Sequence, residues 1–95
     1  LLATNPDAER LLHAEVDTVV GDAPLDAADT ARLPFTRAVV AESMRLYPPA
    51  WILGRRATEP LRLGGWRIPA RAIVIMSQLL VHRDARWWPD PLRFD

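Results

Sequence analysis

The sequence predicts a mainly α chain that carries a small β portion, an α+β segment. Three observations predict it. Apolar residues recur at helical spacing over two stretches of the first half, each opened by a proline. A double proline, Pro48–Pro49, closes the second stretch, and beyond it come short apolar runs punctuated by Gly64–Gly65. Helices come first and a small sheet follows, in one continuous unit without repeat, low-complexity segment or linker.

Taken in order, LLAT reads as the end of a helix that begins upstream. It lacks the basic stretch and cleavage site of a signal peptide. Asn5 followed by Pro6, with Asp7 and Glu9 in the first turn, predicts a helix start with Asn5 as the cap. Leu12, Val16, Val19 and Val20 form its apolar stripe, and Gly21 ends it. Asp26 can cap a short helical turn in ADTARL. Pro34 opens a second long helix, PFTRAVVAESMRLY, which the double proline stops. ILGRRA, LRL and WRI then read as short strands, the last two joined as a hairpin through the glycines. AIVIMS reads as a buried strand, and LLVHRDARWW as a turn or two of helix running into coil.

Composition removes several function classes. The 95 residues carry twelve acidic and twelve basic groups, so zero net charge argues against general binding of nucleic acid or an anionic membrane. All the basic residues are arginine, which reads as codon bias. Without cysteine the segment has no disulfide, thiolate nucleophile or cysteine-bound metal. The longest apolar run, AIVIMSQLLV, is too short to span a bilayer. His13 and His82 are far apart with no second ligand at chelating spacing, so no metal site is expected and both are read as surface or core histidines. Trp87 and Trp88 are read as packing residues.

The second helix is the informative one. Phe35, Ala38, Val39, Glu42, Arg45 and Leu46 share one face, while Val40, Met44 and Tyr47 make an apolar stripe on nearly the opposite side. Such a helix wants protein on two sides, which a chain this short supplies with difficulty. On a solvated face Glu42–Arg45 would be an i, i+3 ion pair worth about 0.2–0.5 kcal/mol. Flanked by Ala38, Val39 and Leu46 it must instead be desolvated, and then needs further partners, which the five donors of arginine can anchor.

At this point the chain resembles a known family. Glu42-x-x-Arg45-Leu46-Tyr47-Pro48-Pro49 is similar to the K-helix motif of the cytochrome P-450 haem-thiolate monooxygenases. Arg55 in GRRAT, then GGWRIP at 64–69, then HRDARWWPDPLRF at 82–94 follow in the family's order. NPDAERLLHAEVDTVVG and ARLPFTRAV are similar to its J helix and the approach to K. Two residues depart from the pattern. Arg71 stands where a turn calls for glycine, which puts that turn in question, and Ala85 replaces a proline.

The resemblance implies that residues 1–95 are a fragment of a single cytochrome P-450 domain, incomplete at both ends and running from the end of the I helix to just before the Pro-Glu-Arg-Phe meander. The parent would be a haem- and iron-dependent oxidoreductase that incorporates oxygen into an apolar small molecule. Its cofactor is haem, with the proximal cysteine beyond residue 95, so no catalytic residue is expected in this segment and the fragment alone is expected to be inactive. Glu42 and Arg45 would form a structural network locking the K helix to the meander, with a third arginine past Asp95. Arg55 would reach a haem propionate, while Arg56 faces solvent. Ala50, Trp51, Ile52 and Leu53 would contribute to the substrate pocket. The implied partners are a hydrophobic substrate, O2 and an electron-donating ferredoxin or flavoprotein reductase, with no nucleic acid. The absence of lysine and the compact approach to the K-like helix suggest a soluble cytoplasmic bacterial protein, with an upstream membrane anchor left open. The alternative is a non-catalytic helical interaction module, or the remnant of a degraded gene.

Overall fold

Proline at the first helical position starts both long helices, because its fixed φ suits the first turn and the N–H it lacks would have no partner there. In this computed structural model, which describes residues 1–24 and 26–95, helix α1 spans Pro6–Val19 and α2 spans Pro34–Leu46. A 3₁₀ turn at Leu2–Thr4 precedes α1, where the sequence suggested the end of a longer helix. Asn5 occupies the cap position of α1, but its amide donates backwards to the Leu1 carbonyl (2.8 Å), so it gives the helix no side-chain cap. Asp26 caps the 3₁₀ turn Ala27–Arg32 as expected. Its carboxylate accepts from the Ala28 N–H, and the Asp29 carboxylate in turn accepts from the Asp26 N–H.

Beyond Pro48–Pro49 the chain forms two separate two-stranded antiparallel ladders, not one sheet. Strand β1 (Leu53–Arg56) pairs with β4 (Ile73–Met76), with Arg55 opposite Val74. Strand β2 (Leu61–Leu63) pairs with β3 (Trp66–Ile68) as the expected hairpin, whose Gly64–Gly65 turn has φ of 54° and 85°. That turn is open to glycine at little cost and strained for other residues. A short helix, α3 (Gln78–His82), follows β4, with the Ser77 hydroxyl accepting from the Leu80 N–H.

Two expectations are corrected here. Strand β4 forms, but it is not buried: Ile73 and Ile75 are 63% and 64% exposed. They share a ladder face with Gly54 and Arg56, which no helix among the described residues covers. The turn in question at Arg71 also forms, with Arg71 itself at φ 67°. The Arg71 N–H donates to the Ala57 carbonyl (2.8 Å) and the Ala57 N–H to the Ala72 carbonyl (2.9 Å), so ladder bonds hold the arginine in a conformation that glycine would adopt more freely.

The core is thin. Leu33, Val39, Leu46 and Ala57 are its buried apolar residues among those described. The second stripe of α2, Val40, Met44 and Tyr47, is exposed. The radius of gyration is 19.2 Å, where a compact domain of this length would have about 12 Å. Among the described residues no helix is long and apolar enough to cross a membrane.

Expressed alone, the chain should unfold gradually on heating and bind a hydrophobic dye; a sharp calorimetric transition would contradict the thin core. In the full-length parent, Arg71→Gly should raise stability by about 1 kcal/mol in chemical denaturation, by relieving the left-handed conformation.

Candidate functional site

The amphipathic spacing of α2 puts Val39, Arg45 and Leu46 on its buried side, with Glu42 one turn before the arginine. The Arg45 and Glu42 side chains are 8% and 12% exposed. Arg45 Nε donates to Glu42 Oε2 (2.6 Å) and Nη2 to Oε1 (2.7 Å), a bidentate ion pair. The three remaining N–H groups go to main-chain carbonyls: Nη1 to His82 (2.9 Å) and Pro91 (2.8 Å), and Nη2 to Arg93 (2.9 Å). All five donors of the guanidinium are therefore used. Its face lies 4.9 Å from the Trp88 ring centroid, a cation–π contact. The Asp95 N–H adds a bond to Glu42 Oε1 (3.0 Å).

Arg45 thus ties the K-like helix to the segment after α3. Each charge shifts in the direction its partner favours. The hydrogen bond from Arg45 holds the Glu42 carboxyl below the ordinary glutamate range, against burial, which pushes it up. The Arg45 guanidinium is pushed higher still by Glu42.

The opposite end of α2 has its own charged anchor, which the sequence reading missed. Leu33, at the cap position, has no polar side chain, and Glu15 of α1 replaces it. The Glu15 carboxylate accepts from the Phe35 N–H, the Thr36 N–H and the Thr36 hydroxyl, each at 2.8 Å. Burial pushes the Glu15 carboxyl up, and these bonds together outweigh it, so the group lies below its ordinary value. A signal was available: Glu15 sits between Leu12 and Val19 at helical spacing, so an acid there stands on the apolar stripe. At the C-terminal end of α2, Arg83 donates to the Leu46 carbonyl (2.9 Å) and lies over the Tyr47 ring at 5.5 Å. His82 Nδ1 meets the Arg45 carbonyl at 3.2 Å. Of the two tryptophans read as packing residues, Trp88 serves as the arginine's platform, while Trp87 is exposed and packs on nothing comparable.

The residues expected to face a cofactor or substrate lie apart from this lock. Arg55 and Arg56 fall on opposite faces of β1 by strand alternation, and both are exposed. Arg55 shares its face with Leu53, Val74 and Met76, and Nη1 donates only to the neighbouring Gly54 carbonyl (3.1 Å). None of the ion pairs among the described residues includes it. Ala50, Trp51 and Ile52 are exposed and Leu53 is half-buried. The Trp51 carbonyl accepts from the Ser77 hydroxyl (3.1 Å), which ties this segment to the start of α3. Among the described residues no cluster of His, Asp or Glu could hold a metal ion.

In the parent protein, Glu42→Gln should cost about 3–5 kcal/mol in chemical denaturation, because it leaves the Arg45 charge buried without its partner. Acid should act on the same contacts. Glu15 and Glu42 have depressed folded pKa values, so the unfolded state binds more protons once pH falls below the ordinary glutamate value of about 4.3. Their contribution is complete above that value and is lost as pH falls through the folded values. A pH titration of stability should therefore be less steep on its acid side for Glu15→Gln than for the parent.

Residues 1–95 match the family profile described as cytochrome P-450. The chain is 46% identical over 95 residues to cyclooctatin synthase of Streptomyces melanosporofaciens, spanning all of this chain and 21% of that protein. It is 37% identical, over the same span and share, to cyclooctat-9-en-7-ol 5-monooxygenase of the same organism. A zebrafish cytochrome P-450 solved with progesterone aligns with a TM-score of 0.93 at 32% identity, over 99% of this chain and 23% of that one. The chain thus spans about a fifth of the length of these relatives, and its helices and antiparallel ladders match part of their fold. Matched from its first residue to its last, and with the Glu42–Arg45 pair buried where the family motif falls, the chain belongs to the cytochrome P-450 family as a fragment of it.

Proposed function

We propose that residues 1–95 are an internal segment of a single cytochrome P-450 domain whose parent hydroxylates an apolar small molecule. It would draw on O2 and on electrons from a ferredoxin or flavoprotein reductase. The observation that carries this reading is the unbroken match over residues 1–95, to relatives that include one named as a 5-monooxygenase. The open shape supports the segment reading. The exposed stripe Val40, Met44 and Tyr47 and the exposed β4 isoleucines are surfaces that the rest of such a domain would cover.

The haem, when bound, supplies the oxygen chemistry, and this chain supplies binding and orientation. Its donor set fits a peripheral role. The chain has no cysteine, so the thiolate ligand would come from outside it. Arg55 has an exposed guanidinium with no carboxylate partner among the described residues, and a planar cation suits a propionate through charge-assisted hydrogen bonds. Its apolar ladder neighbours Leu53 and Val74 would lower the local dielectric and strengthen that contact. Ala50, Trp51, Ile52 and Leu53 would line the apolar side of the substrate cavity. The Glu42–Arg45 lock touches none of these groups. Its part is to hold α2, from whose end the segment departs.

The full-length protein, reduced under carbon monoxide, should give a Soret band at the thiolate position; its absence would overturn the reading. In that protein Arg55→Leu should speed haem loss to apomyoglobin by roughly tenfold, the effect of one lost charge-assisted contact. Arg56→Leu should leave the rate unchanged, and equal effects of the two would move the propionate contact away from Arg55.

A further inference from the structure

Residues 45 and 82 hold one another twice. Arg45 Nη1 donates to the His82 carbonyl (2.9 Å), and the His82 ring meets the Arg45 carbonyl through Nδ1 (3.2 Å). A carbonyl can only accept, so Nδ1 carries the hydrogen and His82 is the donor. Each side chain therefore binds the other residue's main chain in a closed reciprocal pair. The His82 ring also stands edge-on to Trp88, at 5.9 Å and 80°, the same indole on which the Arg45 guanidinium lies. Beside this pair Arg83 donates to the Leu46 carbonyl.

The grip has a topological consequence. The 37-residue interval between Arg45 and His82 contains all four strands. Strand β1 leaves the end of α2 through residues 47–52, and β4 enters α3 through Ser77. Holding residue 45 to residue 82 closes that interval into a loop at its base. The spacing between the two stems of the β1–β4 ladder is then set where α2 meets α3.

We propose that His82 is a positioning residue: its Nδ1–H, paired with the return bond from Arg45, fixes the base of the loop that carries β1 and β4, and with them Arg55 and residues 50–53. It touches neither cofactor nor substrate and acts through the Arg45 main chain. The consequence for a haem-facing Arg55 rests on the function proposed above; the grip itself does not.

The test uses the full-length parent. His82→Leu removes the donor and keeps an apolar side chain of similar bulk. His82→Asn returns an N–H near the place of Nδ1. Amide hydrogen exchange should quicken by roughly tenfold across β1 and β4 in His82→Leu, with α1 unchanged, and should return toward the parent rate in His82→Asn. Unchanged exchange in β1 and β4, or an Asn variant no better than Leu, overturns the proposal. If His82→Leu fails to fold, ¹⁵N spectra of histidine-labelled parent protein decide. The proposal requires hydrogen on Nδ1, and hydrogen on Nε2 alone overturns it. A parent without the carbon monoxide band would sink the haem reading, while these two measurements would still judge the grip.

Discussion

The structure depends on one guanidinium. Arg45 places each of its five N–H groups on an oxygen, two on Glu42 and three on carbonyls contributed by α3 and the chain that follows it. Those carbonyls lie 37 to 48 residues away in sequence, in a segment with little secondary structure of its own. A hydrophobic core does not order that segment, since Trp87 and Leu92 are exposed. An arginine with a fixed fork of donors supplies the order that burial does not. Glu42 does for the guanidinium what solvent would otherwise do, and so makes its burial tolerable.

Helix α2 is held by charge at both ends, in the sense that the helix dipole favours. The Glu15 carboxylate meets the free N–H groups at its start, and Arg83 meets a free carbonyl at its end. The two anchors come from either side of α2 in sequence, Glu15 from α1 before it and Arg83 from the C-cap of α3 after it. The helix therefore serves as a rod to which the preceding helix and the following loop are pinned. One face of that rod is buried within the chain while Val40, Met44 and Tyr47 are exposed on the other, so its fixing inside these residues is polar more than hydrophobic.

Much of this was legible in the sequence because it is local. Proline at the first turn of each long helix, Asp26 before its 3₁₀ turn and the double glycine between β2 and β3 each act within a few residues, and each of these elements formed where it was expected. The ion pair at Glu42 and Arg45 was legible from spacing, and its burial from the apolar residues around it. What could not be read were partners that come from far away, the carbonyls of residues 82, 91 and 93 and the Trp88 face, whereas Glu15, an acid on the apolar stripe of α1, left a signal that was missed. Backbone acceptors leave no residue-type signature, so no motif announces them. Burial of β4 was misread for the opposite reason. An apolar run reports what a strand can bury against, and among the described residues Ile73 and Ile75 remain mostly exposed. Asn5 failed as a cap because its amide found the Leu1 carbonyl first, a competition that sequence pattern cannot rank.

The most direct measurement is hydrogen exchange at the Arg45 guanidinium itself, in full-length protein with ¹⁵N-labelled arginine. Arg10, whose ion pair with Asp7 on α1 is exposed, serves as the comparison. If all five Arg45 donors are engaged and buried, its Nε–H should exchange roughly a hundredfold more slowly than that of Arg10. Equal exchange at the two sites would mean that the guanidinium is open to water, and that the loop after α3 is held by something else.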